Sequence, residues 1–178
     1  MKKIIKLLSI LLISIIITGC FNNKKEEIIE ASDALKFKEE YESLNDKYTS
    51  VEIKDNNPVK YSSTSEIKDI INNKSGIVFL GNPKDNKSRV ILPSLIEATK
   101  QTGIKPLYYL NIDDNSIVKE IINQDLEIPL IIFIKDGEII KILDNKKEKI
   151  TSTEQDELLK LYRNNIHEIL DDLCDQSC

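Results

Sequence analysis

The chain has 178 residues, a formal net charge of −5, 31% charged residues, no Trp, a single His and 3 Cys. That length suits one domain. The acidic balance, with lysines interspersed among Asp and Glu, argues against nucleic-acid binding, because phosphate contacts need clustered Lys and Arg. The sequence contains no Gly-rich phosphate loop, no His-Glu-x-x-His and no nucleophile elbow, so the common nucleotide, zinc-protease and hydrolase signatures are absent. There are no internal repeats.

The chain opens on Met1-Lys2-Lys3-Ile4-Ile5-Lys6, continues through an apolar run from Leu7 to Ile17 and closes that run with Thr18-Gly19-Cys20. A basic start, an apolar stretch and a small-residue exit are the parts of an export signal. The run falls short of the about 20 residues that a spanning helix needs. Ile17-Thr18-Gly19-Cys20 resembles the lipobox of bacterial lipoproteins. The resemblance implies cleavage after residue 19, a lipidated Cys20 and a location on the extracytoplasmic face of a bacterial cell membrane. The alternative is an uncleaved anchor helix with an incidental Cys. Stable attachment takes more than one acyl chain, each buried CH₂ contributing about 0.8 kcal/mol; the lipid implied by the resemblance is a diacylglyceryl group. Residues 20–32 read as a polar linker.

Beyond the linker, Ala34, Phe37, Tyr41, Leu44 and Tyr48 recur at helical spacing, which predicts an amphipathic helix from Asp33 to Lys47, capped by Ser32 or Asp33. Val51 to Ile53 reads as a short strand, and Asn56-Asn57-Pro58 as a turn. Ser63-Thr64-Ser65-Glu66 matches a capping box and opens a helix that ends near Lys74-Ser75-Gly76. Ile77-Val78-Phe79-Leu80 has the look of a central strand buried on both faces. Val90 to Thr102 reads as a helix stopped by Gly103, and Leu107 to Leu110 as another buried strand. Asp113 or Asp114 is placed to cap a helix carrying Ile117, Val118, Ile121 and Ile122. Pro129 precedes a strand from Leu130 to Ile134, Asp136-Gly137 signals a hairpin, and Glu138 to Leu143 returns antiparallel. A last helix runs from about Thr153 to Leu173. Strands alternating with helices imply an α/β domain over residues 33–173, with a mixed central sheet, helices on both faces and an extra N-terminal helix. Residues 174–178 form a Cys-containing tail.

This order resembles the thioredoxin fold, over roughly Val51 to Leu173. The resemblance rests on Ile77-Val78-Phe79-Leu80-Gly81-Asn82-Pro83 running into a helix, on Pro93 inside that helix, and on Ile128-Pro129 followed by a strand and Lys135-Asp136-Gly137. The segment from Gly81 to Thr99, with Tyr108-Tyr109-Leu110-Asn111, is similar to thioredoxin-like lipoproteins and bacteriocin-transport accessory proteins of Gram-positive bacteria. The resemblance implies a three-layer domain, a cis Pro129, and a Cys-x-x-Cys pair at positions 85 and 88.

Those positions hold Asp85 and Ser88. Thiol exchange requires a thiolate, which neither residue supplies. Many thioredoxins carry a buried acid six residues before the first Cys, and here that position is Phe79. The site is therefore expected to be degenerate, with no standard dithiol activity, no catalytic residue assigned and no cofactor. Asp85 reads first as a helix cap. A second reading keeps a peptide groove between the helix start and Ile128-Pro129, because in thioredoxins the residue before the cis-proline binds extended substrate through its backbone.

Cys174 and Cys178 are spaced i, i+4, which in a helix puts their Cα atoms within the usual disulfide range of about 4.4–6.8 Å. A structural or incidental disulfide and a redox-active pair both stay open. A metal site is not expected: two thiols need further ligands, and His167 lies about two turns back. The sequence thus points to a membrane-tethered thioredoxin-like binding or accessory protein whose partner is an extended peptide or exported protein. The alternative is a thiol-disulfide oxidoreductase working through Cys174 and Cys178.

Overall fold

The computed structural model describes residues 32–144 and 155–174, and only the backbone of residues 155 and 168–174. The first helix, α1, spans residues 32–42 and gives way to turns through residue 47. It ends earlier than its apolar spacing predicts, because Asn45 leaves the helix to serve the chain that follows. Its side chain pairs with both backbone groups of Val51, accepting from the amide at 3.0 Å and donating to the carbonyl at 2.9 Å. Glu42 accepts from the Ile53 amide at 2.7 Å. These bonds also explain why Val51 to Ile53 is not a strand. Both apolar side chains are buried, but the backbone groups that a ladder would have used are held by side chains of the α1 segment.

The first strand lies further on. β1 (Val59–Tyr61) is too short to show a period and was not expected from the sequence. Asn57 sets it in place. Its buried amide donates to the carbonyls of Ala34 (2.8 Å) and Lys54 (3.0 Å) and accepts from the Val59 amide (3.1 Å). α2 (Thr64–Asn73) starts on the Ser63–Glu66 capping box. β2 (Gly76–Gly81) is buried along its whole length. α3 (Asn86–Thr102) stops at Gly103, whose φ of 77° is left-handed, and Pro93 lies inside it. Its start is four residues ahead of the apolar stripe at Val90, because Asp85 caps it. β3 (Leu107–Asn111), α4 (Ser116–Ile122), β4 (Leu130–Lys135) and β5 (Glu138–Leu143) follow, and α5 (Gln155–Cys174) ends the described chain. Asp136 and Gly137 both have positive φ, 50° and 79°, as a two-residue hairpin with matching twist requires. A Cβ at Gly137 would also meet the Asn72 carbonyl oxygen at 2.4 Å.

The sheet order is β1-β3-β2-β4-β5. β3 runs parallel to β1 and β2, and β4 runs antiparallel to β2 and β5. Alternate residues of β2 face opposite ways. Ile77 and Phe79 join the core beneath α1, α3 and α5, while Val78 and Leu80 join the core beneath α2 and α4. This three-layer α/β arrangement with an added N-terminal helix is the thioredoxin-like fold that the resemblance implied.

One side chain ties α1 to this framework. Arg89, in the first turn of α3, is fully buried. Its guanidinium donates to the carbonyls of Tyr41 and Pro83, each at 2.9 Å, to the carbonyl of Thr49, and to Asn45 Oδ1 at 2.5 Å. No carboxylate is among its partners in the described residues. Burial lowers its pKa, but a guanidinium stays protonated in proteins. Arg89→Met keeps much of the volume and orphans these acceptors. We expect it to lower the free energy of unfolding by about 3 kcal/mol, read from the urea midpoint at constant m-value.

Candidate functional site

The C-terminal ends of β2 and β3 and the N-terminal end of β4 lie at the same end of the sheet. Gly81 pairs with Asn111, and Leu80 with Leu130. The register therefore brings the loop into α3 and the Ile128-Pro129 segment to the same end of adjacent strands. Asn82 organises the loop. Its buried amide donates to the Ile112 carbonyl (3.0 Å) and to Asp113 Oδ1 (2.5 Å), and its Oδ1 accepts from the Lys84 amide (2.8 Å).

Asp85 and Ser88 are bound to each other across the first turn of α3. Asp85 Oδ2 accepts from the Ser88 amide and from the Ser88 hydroxyl, both at 2.8 Å, and Oδ1 accepts from the Lys87 amide at 3.3 Å. The Ser88 hydroxyl, wholly buried, also accepts from the Asn82 amide at 3.2 Å. Both side chains are thus committed to holding the loop and the helix start together. Neither offers a thiolate, and a carboxylate and a hydroxyl cannot carry an electron pair to and from a disulfide. Phe79 is packed, not polar. Its ring stacks on Tyr109 at 5.8 Å and fills the space next to Gly81, where an added Cβ would come within 2.5 Å of it.

The segment after α1 covers the first residue of α3. The Thr49 amide and hydroxyl both donate to Asn86 Oδ1, at 2.8 and 3.0 Å. Near the end of β3, Glu40 of α1 accepts from the Tyr61 hydroxyl and from Asn111 Nδ2, the latter at 2.8 Å. Burial first, and then the Glu40 bond, push the Tyr61 phenol up from its ordinary value. Tyr41 and Tyr109 share a buried hydroxyl contact at 3.5 Å, and burial raises both phenols. These tyrosines are structural and neutral.

The Ile128–Pro129 bond is cis, as is Lys105–Pro106; the sequence raised no expectation for the second. Pro129 is buried and Ile128 half-buried. The Ile128 amide donates to Asn115 Oδ1 at 3.1 Å. His167 is exposed on α5. Cys174 ends α5, with its side chain outside the described residues, and Cys20, Cys178, the signal segment and most of the linker lie outside them altogether. No group of three or more His, Cys, Asp or Glu among the described residues is placed to hold a metal.

Three contributors escaped the sequence reading: Arg89, Glu40 and Asn115. Only Arg89 left a signal. It lies three and seven residues before Leu92 and Ile96, on the buried stripe of its own helix. For the cap, Asp85→Ala is expected to cost about 1 kcal/mol of stability, measured by denaturant unfolding, with Asp85→Asn costing less because Asn is also a good cap.

No protein-family model and no curated protein matches the chain. Among solved structures it is similar to the oxidised thioredoxin from Plasmodium falciparum, with 23% identity over 60% of this chain and 96% of that one and a TM-score of 0.45. It is also similar to oxidised thioredoxin O2 from Arabidopsis thaliana, with 13% identity over 61% and 94% of the two chains and a TM-score of 0.45. The J-Trx1 fragment of ERdj5 matches at 13% identity over 64% and 54%, again with a TM-score of 0.45.

Proposed function

We propose that this chain is a thioredoxin-like binding or accessory protein, held by a lipidated Cys20 on the extracytoplasmic face of a bacterial membrane. It engages an extended peptide of an exported partner without dithiol chemistry. The observation that carries this reading is the use made of Asp85 and Ser88. Where the fold otherwise keeps an exposed, reactive sulfur, a carboxylate is engaged by two backbone amides and a hydroxyl, and that hydroxyl is itself buried. The tether is supported by the basic start, the apolar run and Ile17-Thr18-Gly19-Cys20. The groove is supported by the strand register, which aligns the helix start with Ile128, and by the nature of the contact. Backbone hydrogen bonds to an extended chain do not depend on the side chain at position 128.

An insulin-reduction assay on the full chain tests the first part. The expected rate equals the uncatalysed background, and Cys174→Ser and Cys178→Ser leave it there. Turnover that either substitution abolishes would overturn the binding reading in favour of an oxidoreductase using the C-terminal pair. For the tether, Cys20→Ala is expected to abolish both lipid attachment and precursor processing, followed by labelled-palmitate incorporation and electrophoretic mobility. A wild-type chain that takes up no palmitate, or a Cys20→Ala variant that is still processed, would overturn the lipid anchor.

A further inference from the structure

The proposed groove depends on the backbone of Ile128, and another group of the same chain is already bound there. Asn115 Oδ1 accepts from the Ile128 amide at 3.1 Å, at the surface. Asn115 occupies the cap position of α4, with φ −62° and ψ −16°, yet its side chain makes no capping bond. Asn is among the residues best suited to cap a helix. Here that task has passed to Asp114, whose carboxylate accepts from the Ser116 amide at 2.9 Å and the Ser116 hydroxyl at 2.7 Å. Two independent features therefore coincide: an Asn diverted from its local role, and the amide that an extended ligand would need.

A primary-amide carbonyl offers the same acceptor as a peptide carbonyl. We infer that Asn115 is an internal stand-in for the ligand's carbonyl at Ile128, so that an extended peptide binds by displacing it and Asn115 sets the affinity of the groove. The inference rests on the peptide-groove reading proposed above. Because the bond is exposed, the displaced side chain is rehydrated without a buried polar group being left behind. The stand-in then acts as a tax on affinity, equal to the fraction of time the Ile128 amide is open. It also disfavours ligands that cannot supply a carbonyl at that point.

The test uses the full chain in detergent micelles and the uncharged peptide acetyl-Ser-Val-Thr-Val-Ser-amide, with binding and the Ile128 amide both followed by NMR. Asn115→Ala removes the acceptor. It should tighten binding about five-fold, the worth of one ordinary hydrogen bond, and speed hydrogen exchange of the Ile128 amide several-fold. Asn115→Asp keeps an acceptor oxygen and should leave both readouts at or below the wild-type level, which separates displacement from a general loosening of α4. Unchanged exchange in Asn115→Ala would overturn the inference. So would equal peptide affinity in the wild type and Asn115→Ala with the Ile128 amide perturbed in both, a result that leaves the groove standing. Absence of binding to all three proteins would overturn the groove itself and the stand-in with it.

Discussion

The guanidinium of Arg89 is a full positive charge placed inside the protein, and among the described residues it is satisfied by oxygen dipoles alone. Removing such a charge from water costs several kcal/mol unless its donors are met, and the fork of a guanidinium is rigid. The acceptors must therefore come to it. The Tyr41 carbonyl arrives from the last turn of α1, the negative end of a helix dipole. Asn45 and the Thr49 carbonyl arrive only because the chain leaves the helix after residue 42 and turns. The Pro83 carbonyl arrives from the loop between β2 and α3. Arg89 thus works with Asn45 and Glu42 to fix where α1 stops and how the next segment folds back, and it holds the loop ahead of α3.

That loop also sets the chemistry available at the start of α3. A helix N-terminus stabilises negative charge, and the same field that makes a cysteine reactive there suits a carboxylate used as a cap. In this chain the helix start retains its electrostatic character but binds it to a permanent structural partner. The bond from the Ser88 hydroxyl to Asp85 closes the same interval that a disulfide would close. It re-forms without any oxidant or reductant. Phe79, apolar and buried, extends the aromatic packing around Tyr109.

The elements with long apolar patterns were legible in the sequence: β2, α3, β4 and the hairpin into β5 stand within a few residues of their expected places. Their side-chain period and turn chemistry are local properties. The misplacement of the first strand was not local. Val51 and Ile53 carry the right alternation and are buried, yet β1 formed at Val59–Tyr61. The choice depended on Glu42, Asn45 and Asn57 finding backbone partners across turns of up to 23 residues. Asp85 and Ser88 were readable as positions, because the motif that the resemblance implies there has fixed spacing. The roles of Glu40, Arg89 and Asn115 were not, since each binds a backbone group or side chain that only the tertiary fold brings near.

The N-terminal helix is consequently part of the site's own architecture. Glu40 reaches the end of β3 through Asn111, Thr49 covers Asn86 at the start of α3, and Arg89 binds the start of α3 to the Tyr41 carbonyl of α1. Under the proposed tether, the residues between Cys20 and α1 can extend no more than about 3.5 Å each, so the domain stays within roughly 40 Å of the bilayer. A tether of that reach would raise the effective concentration of partners presented at the same membrane over partners free in solution.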